Sequence, residues 1–309
     1  MRHRIALPPP LGPQFSVSEA AALGVGRGRH SARDLARPFH GVRAVEPPAT
    51  FGAAVACYLP RLRPGQRFGG RTAARLWGLP LPTVWRTGEP IDVVVPTGTC
   101  PPRTRGVRGT RLAEDRAVTW SLAGAKLIDP IAAFFTCAKE VTLLDAVVII
   151  DALISDAGNY PARGARRPVR AEDVGQRLDE WGRFPGCGTV RRALALARPH
   201  VESPKETETR MLLLAHGLPE PEVQHEVRSR DGLIARVDLA YPSLRIAIEY
   251  EGDGHRTGKE QWRADIRRQR DLEDLGWTVI RITELDLRDG GASVVARLRG
   301  VFPTQREAA

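Results

Sequence analysis

The chain has 309 residues, of which 42% are hydrophobic and 27% are charged, a composition typical of a globular protein of two or three domains. The longest apolar run, 141–154, contains Asp145 and Asp151 and is too short for a bilayer span, and the prolines at 8–10 interrupt any apolar core of a signal peptide. The four cysteines are far apart and form no C-x-x-C pair, which argues against a zinc ribbon or a disulfide scaffold and fits a reducing compartment. We therefore exclude membrane, secreted and fibrous classes and expect a cytoplasmic location.

The net charge of the chain is +10, with an isoelectric point near 10.1. Such a charge favours a polyanionic partner, of which nucleic acid is the most common. Only four of the 46 basic residues are lysine. Because GC-rich coding alone produces a bias toward arginine, the sign of the charge is more informative here than the type of basic residue.

Residues 14–48 are predicted to form a winged-helix-like unit. Ser16 can cap a helix and Glu19, three residues later, can reach back to it as a capping box. A second helix is expected at 29–36 and a strand at 39–45. Helix, turn, helix and strand within some thirty residues are typical of a small DNA-binding unit. The pattern fits equally well an αα-hairpin that packs on the rest of the protein.

Residues 49–199 are predicted to form a mixed, largely helical middle domain. Ile91–Val95 is a strand of the buried type, and 101–111 is an arginine-rich loop. Asp129 before Pro130 predicts a helix start. Further helices are expected at 143–154, 171–183 and 190–197, and the arginine and proline at 198–199 predict the domain boundary.

The last hundred residues, 200–302, are predicted to form a compact α/β domain, followed by a disordered tail at 303–309. Ser203 and Glu206 form a capping box with proline at the first helical position, and the helix runs to Gly217. The pattern then predicts, in order, strands at 223–228, 233–240 and 244–250, a helix at 260–275, a strand at 277–282 and a helix at 292–299.

Acidic residues occupy positions in these strands where apolar residues are expected. They are Asp238, Glu249 and Glu251. Since the side chains of a strand alternate, Glu249 and Glu251 are expected on one face, where their charges repel unless a cation lies between them. Mg²⁺ prefers oxygen ligands and activates water for phosphodiester hydrolysis. His255, four residues after Glu251, is a candidate general acid, general base or phosphate contact.

This segment resembles the PD-(D/E)xK nuclease superfamily, and in particular an endonuclease-like branch related to very-short-patch repair endonucleases. The resemblance covers about one hundred residues. It is carried by the following motifs: Glu202-Ser-Pro-Lys-Glu206-x-x-x-Arg210, Gly217-Leu-Pro219, Val237-Asp238-Leu-Ala, Ile248-Glu249-Tyr-Glu251-Gly252-x-x-His255, Asp265-x-x-Arg268 and Gly276-Trp277-x-Val-x-Arg281.

The resemblance implies a restriction-endonuclease-like fold and a metal site formed by Glu206, Asp238, Glu249 and Glu251. The superfamily usually has lysine where this chain has Glu251, and the related branch commonly has an acid there. The N-terminal half loosely resembles antitoxins of the abortive-infection, type IV toxin–antitoxin kind, through 15–45 and the motif Arg71-Thr-Ala-Ala-Arg-Leu-Trp-Gly78. Those antitoxins bind DNA through a winged helix.

Each candidate residue also has an ordinary structural interpretation. Glu206 can simply complete the helix cap, Asp238 can pair with Arg236 or Arg245 across the sheet, and His255 can be a solvated loop residue. A group of arginines is the candidate nucleic-acid surface, with a solvated helix face as the alternative for the last three. These arginines are Arg256, Arg263, Arg267 and Arg268.

We therefore predict an α/β protein of the α+β multidomain type that acts as a Mg²⁺- or Mn²⁺-dependent DNA endonuclease on double-stranded DNA. A homodimer and a cognate toxin are further candidate partners, and no membrane association is expected. The alternative is a non-catalytic DNA-binding regulator, similar to an antitoxin, that uses the nuclease fold as a scaffold. A nuclease of RNA or nicked DNA would have the same carboxylates.

Overall fold

The computed structural model describes residues 6–157, 160, 167–230, 232–252 and 259–302, with the backbone alone at 259–262. The predicted tail at 303–309, His255 and Arg256 lie outside the described residues. The protein has a mixed α/β fold with several sheets and helices, as the sequence pattern predicted. Among the helices that are described, none has both the length and the apolar composition needed to span a bilayer.

The chain divides into two compact units, the first formed by residues 1–141 and 179–187. Its elements are β1 (Gln14–Ser16), α1 (Val17–Ala22), α2 (Arg27–His30), β2 (Val42–Ala44), α3 (Phe51–Tyr58), β3 (Arg67–Phe68), α4 (Gly70–Leu76), β4 (Ile91–Val95), β5 (Val107–Arg111), β6 (Thr119–Leu122), β7 (Ala125–Ile128) and α5 (Pro130–Cys137).

Two sheets organise the described part of this unit. Strands β1 and β2 pair in antiparallel fashion, and α1 begins at the predicted capping box, in which the Glu19 carboxylate accepts the Ser16 N–H at 2.7 Å. The second sheet has the strand order β5-β4-β3-β7-β6, with β4 buried along its whole length. The predicted cap at Asp129 is confirmed, because its side chain accepts the N–H of Ala132 at 3.0 Å.

Two local predictions for this unit are wrong. The second helix spans Arg27–His30 instead of 29–36. Ala36 cannot belong to it, because its backbone is paired with Ala44 in an antiparallel bridge. The predicted loop at 101–111 contains strand β5, which pairs in parallel with β4. Strand β5 lies at the edge of its sheet, where arginine is tolerated on a strand because the side chains reach solvent.

The second unit is formed by 142–178 and 188–309. Its elements are α6 (Leu143–Ile154), α7 (Ala171–Trp181, whose last turn belongs to the first unit), α8 (Cys187–Leu196), α9 (Pro204–Ala215), β8 (Glu222–Ser229), β9 (Gly232–Tyr241), β10 (Ile246–Tyr250), α10 (Lys259–Asp274), β11 (Thr278–Ile282), α11 (Glu284–Arg288) and α12 (Ala292–Val301).

The sheet of the second unit has the strand order β11-β10-β9-β8 within the described residues, with β8, β9 and β10 antiparallel and β11 parallel to β10. One face packs against α9 and α12 through Leu213, Ile248 and Val295. The other face packs against α10, where Ala247 and Leu272 belong to one apolar cluster. The order from α9 onward agrees with the predicted α-β-β-β-α-β-α, apart from the additional short helix α11.

The division into units differs from the predicted boundary at 198–199, because α6 belongs with the C-terminal sheet. Asp151 of α6 is fully buried and accepts hydrogen bonds from the Thr207 hydroxyl at 2.8 Å and from the Arg210 guanidinium at 3.1 Å. Both donors lie on α9. A buried carboxylate requires such partners, so the ion pair attaches α6 to α9.

Candidate active site

Glu206 lies at the start of α9 and is both a capping residue and a buried carboxylate. Ser203 Oγ accepts the Glu206 N–H at 3.2 Å, and its hydroxyl donates to Glu206 Oε1 at 2.8 Å. Oε2 accepts the N–H of Glu202 and the Nε2 amide of Gln224, each at 2.9 Å. The carboxylate thus differs from a standard capping box, in which it would accept the N–H of Ser203. Burial and the charge of Asp238 raise the pKa of Glu206 to about 7.

Asp238 lies in the middle of β9, where its Oδ2 accepts the N–H of Tyr250 from the adjacent strand at 3.0 Å. Burial raises the pKa of Asp238, and the Tyr250 N–H and the charge of Arg268 act against this increase. The structure does not pair Asp238 with Arg236 or Arg245. Arg236 binds Glu202 at 2.5 Å, and Arg245 donates to the carbonyl of Leu275 at 3.2 Å.

Glu249 lies near the end of β10 and makes an ion pair with Arg268 of α10. The two guanidinium nitrogens of Arg268 lie 3.2 and 3.3 Å from its carboxylate oxygens. In the described part of the protein, the buried Oε1 atom of Glu249 receives no well-directed hydrogen bond. Burial raises the pKa of Glu249, as do the charges of Asp238 and Asp265, while Arg268 and Arg281 lower it.

Glu251 follows β10 directly and extends its parallel pairing, because its N–H donates to the carbonyl of Ile282 at 2.8 Å. Its carboxylate lies 3.6 Å from the guanidinium of Arg281 on β11. Both Glu249 and Glu251 therefore have an arginine as the neighbouring cation, and the two pairs use different arginines.

The sequence patterns did not identify Gln224, which bridges two of the acidic residues. Val223 pairs with Leu239 and His225 with Val237, so the register places Gln224 opposite Asp238. Its side chain hydrogen-bonds to Glu206 and also lowers the pKa of Asp238. Its φ of 51° lies in the left-handed region, which costs a non-glycine residue about 1 kcal/mol or more and often marks a functional position.

The carboxylate of Asp238 on β9 interacts electrostatically with those of Glu206 on α9 and Glu249 on β10. Asp238 raises the pKa of both glutamates. Oxygen donors of this kind fit Mg²⁺ or Mn²⁺, and the buried Oε1 of Glu249 has an ion pair with Arg268 but no well-directed hydrogen bond in the described part of the protein. As placed in the described residues, however, no three acidic, histidine or cysteine side chains are close enough to hold one ion.

The predicted nucleic-acid arginines of α10 have different environments. Arg263 and Arg267 are exposed, and both are available to an external anion. Arg268 is half-buried and contacts Glu249, so its guanidinium is part of the acidic cluster instead of a solvated face. His255 and Arg256 lie outside the described residues.

Comparisons with known proteins give relatives without an assigned role. No family model matches the chain. It is 34% identical over 132 residues to the uncharacterized proteins MT2308 and Rv2248 from two strains of Mycobacterium tuberculosis, an alignment of 43% of this chain. The chain spans about half the length of these curated relatives, 48% in each case. The crystal structure of the RV2827C protein from Mycobacterium tuberculosis aligns with 71% of this chain and 84% of its own, at 15% identity and a TM-score of 0.38.

Proposed function

We propose that the C-terminal unit is a metal-dependent endonuclease that hydrolyses phosphodiester bonds of double-stranded DNA. The observation that carries this proposal is the burial of Glu206, Asp238 and Glu249 in one part of the unit, where the charge of Asp238 raises the pKa of both glutamates. Burying like charges together is unfavourable without a compensating cation, and strongly perturbed carboxylates are typical of functional sites.

The fold around these residues supports the same proposal. The helix α9, the antiparallel strands β8 to β10, the helix α10 and the parallel strand β11 follow in the order that the resemblance to the PD-(D/E)xK superfamily implies. The helix glutamate, the hairpin aspartate and the glutamate of the third strand are the residues to which the resemblance assigns the roles of that family's acidic ligands. A restriction-endonuclease-like fold for this unit, and a relationship to very-short-patch repair endonucleases, are part of this proposal.

In this proposal Asp238 and Glu249 hold Mg²⁺ or Mn²⁺, and Glu206 positions the site through Gln224 and contributes negative charge. A bound divalent ion activates water and neutralises charge that develops on the phosphate. Arg268 leaves Glu249 and contacts the DNA backbone, together with the exposed Arg263 and Arg267.

Three further residues complete the proposed site. His255 acts as general acid or base, and Arg256 contacts a phosphate. Glu251 is a further acidic ligand at the position where the superfamily usually has lysine.

The experiment is cleavage of supercoiled, linear, mismatched and single-stranded DNA by the full chain in Mg²⁺, Mn²⁺ or EDTA. We expect cleavage with metal only, and a loss of at least about a hundredfold in Asp238→Asn and Glu249→Gln, since each removes a charged ligand from the metal. Glu226→Gln is the matched control, because Glu226 is an exposed carboxylate of β8 that pairs with Arg228 at 2.6 Å. Cleavage that survives both site variants, or proceeds in EDTA, would contradict the proposal.

A second candidate function is a DNA-binding regulator without catalysis. It is favoured by the ion pair of Arg268 with Glu249, which supplies a cation to the acidic cluster without a metal. In this alternative the chain resembles an antitoxin with a cognate toxin, acts in the cytoplasm and binds DNA as a homodimer through residues 14–48. DNA binding without cleavage, unchanged in Asp238→Asn, would favour this alternative.

A further inference from the structure

The first unit contains a cavity of about 860 Å³ whose walls are strongly basic. The cavity is formed by Val17 of α1 and the segment from α2 to β2, together with residues 88, 105 and 106. Its charged and titratable wall residues are Arg27, His30, Arg37, His40, Arg43 and Arg105, and none of the wall residues that the structure describes is acidic. The volume lies within the range of 300–1,000 Å³ found for small-molecule and cofactor pockets.

Two arginines of the cavity wall, the half-buried Arg43 and the exposed Arg37, donate to backbone carbonyl groups. Arg43 Nε donates to the carbonyl of His30 at 2.5 Å, and its Nη1 donates to that of Val42 at 2.8 Å. Arg37 donates to the carbonyl of Ser31 at 2.8 Å. These bonds orient the guanidinium groups but leave their charges uncompensated, and burial and the nearby charge of Arg37 lower the pKa of Arg43.

Two observations indicate that the cavity is adapted to a ligand. The side chain of His30 is 8% exposed, and its buried Nδ1 has no hydrogen-bond partner within the described part of the protein. Buried polar atoms of this kind normally have a partner, and an external ligand or water can supply one. Arg27 and Arg105 are exposed on the cavity wall, and no side-chain hydrogen bond or ion pair is found for either among the described residues.

We propose that this cavity binds a ligand that carries at least two phosphoryl groups. Guanidinium groups bind phosphate oxygens in bidentate fashion, and the cavity is too large for a single phosphate ion. Because the site lies in the first unit, it is independent of the carboxylates of the second unit. A free nucleotide as ligand goes beyond both proposed functions, whereas a nucleic-acid backbone as ligand rests on the proposed DNA binding through residues 14–48. The phosphoryl groups can belong to a nucleic-acid backbone or to a free nucleotide.

The test uses the full chain in EDTA, so that no metal-dependent cleavage takes place. Three probes are titrated: pyrophosphate and ADP by calorimetry, and a fluorescein-labelled 16-base-pair DNA duplex by anisotropy. The cavity variant is Arg27→Ala/Arg105→Ala. The matched control is Arg33→Ala/Arg103→Ala, which removes the same charge from exposed positions of the same segments outside the cavity wall.

We expect the Kd of at least one probe to rise by about tenfold or more in the cavity variant, and to stay within about twofold in the control. Binding of pyrophosphate or ADP assigns the site to a free nucleotide, and binding of the duplex alone assigns it to a nucleic-acid backbone. The proposal is overturned if no probe binds, or if both double variants weaken binding equally. Asp238→Asn tests the nuclease separately, since it leaves the cavity unchanged.

Discussion

Replacing Glu206 by glutamine is expected to stabilise the second unit at alkaline pH when no metal is present. The carboxylate is 5% exposed, and burial together with the charge of Asp238 raises its pKa to about 7. Glutamine has the same shape and no charge. Its carbonyl oxygen can accept the N–H of Glu202 and the amide of Gln224, and its amide can donate to Ser203 Oγ, so each existing contact keeps a partner.

The magnitude follows from proton linkage. In the unfolded chain Glu206 ionises with its ordinary pKa of 4.5, whereas in the folded protein it keeps the proton up to about pH 7. The free energy of unfolding of the wild type therefore falls as the pH rises from 4.5 to 7, and is level above that pH. At about 1.4 kcal/mol for each pH unit, Glu206→Gln gains roughly 3 kcal/mol at pH 8 and roughly 1 kcal/mol at pH 5.

The assay is amide hydrogen exchange of α9 in EDTA at pH 5 and pH 8, read by mass spectrometry, because it reports the opening of this helix separately from the first unit. Glu208→Gln is the control. Glu208 lies on the same helix, pairs with Lys205 at 2.6 Å and is 29% exposed at its side chain. Its substitution is expected to change the opening free energy by less than about 1 kcal/mol at both pH values.

Two results would refute this reasoning. A Glu206→Gln variant that is less stable than the wild type at both pH values would mean that the ionised carboxylate is favoured by its donors. A gain that is the same at pH 5 and pH 8 would mean that the pKa of Glu206 is not raised in the folded protein.

Three other predictions concern charges elsewhere in the second unit. Asp151→Ala removes the fully buried partner of the Arg210 guanidinium, which then keeps only the partly exposed Glu220 at 2.8 Å. The substitution is expected to lower the free energy of unfolding by about 3 kcal/mol in urea titrations, against less than about 0.5 kcal/mol for the exposed Asp156→Ala. Arg268→Gln removes a cation that competes with metal at the acidic cluster. The variant protein is therefore expected to bind Mn²⁺ about fivefold more tightly in calorimetry, whereas the control Arg267→Gln is expected to bind it as the wild type does. Arg267→Ala is expected to lower the slope of log K against log salt for DNA binding by about 1, whereas Arg297→Ala on α12 leaves it unchanged.

Each of these predictions has a contradicting result. Equal losses of stability in the two aspartate variants would show that the buried ion pair contributes nothing to the attachment of α6. Weaker Mn²⁺ binding in Arg268→Gln would mean that the arginine supports the site instead of competing for it. Equal salt slopes in the α10 and α12 variants would place the DNA elsewhere.

The sequence predicted correctly those helix starts that depend only on neighbouring residues. The Ser16–Glu19 box and the Asp129 cap need only residues three positions apart, and both were predicted correctly. Strand β5 depends on pairing with β4, which lies twelve or more residues away, so its arginines alone indicated a loop. The attachment of α6 likewise depends on a buried ion pair between residues 151 and 210, which no local pattern reveals.

In the candidate site, too, contacts between residues far apart in the sequence were not predicted. Strand alternation predicted that Glu249 and Glu251 share a face, and the family resemblance implied that Asp238 belongs to the same site. In the structure the charge of Asp238 raises the pKa of Glu249. The bridge through Gln224 depends on the register of β8 against β9, which the sequence does not specify to one residue. The contact of Arg268 with Glu249 depends on the rotation of α10 about its axis. The sequence pattern of this helix, in which basic and acidic residues are mixed, is also typical of a solvated face and therefore did not predict the contact.

The most direct test of the central claim is a calorimetric titration of the full chain with Mn²⁺ at pH 8, for the wild type and for Asp238→Asn. We expect at least one ion to bind to the wild-type chain and this binding to be lost in the variant, because Asp238 is the carboxylate that interacts with both Glu206 and Glu249. Binding of Mn²⁺ that is equal in the two proteins, or its absence from the wild type, would contradict a metal site at these carboxylates.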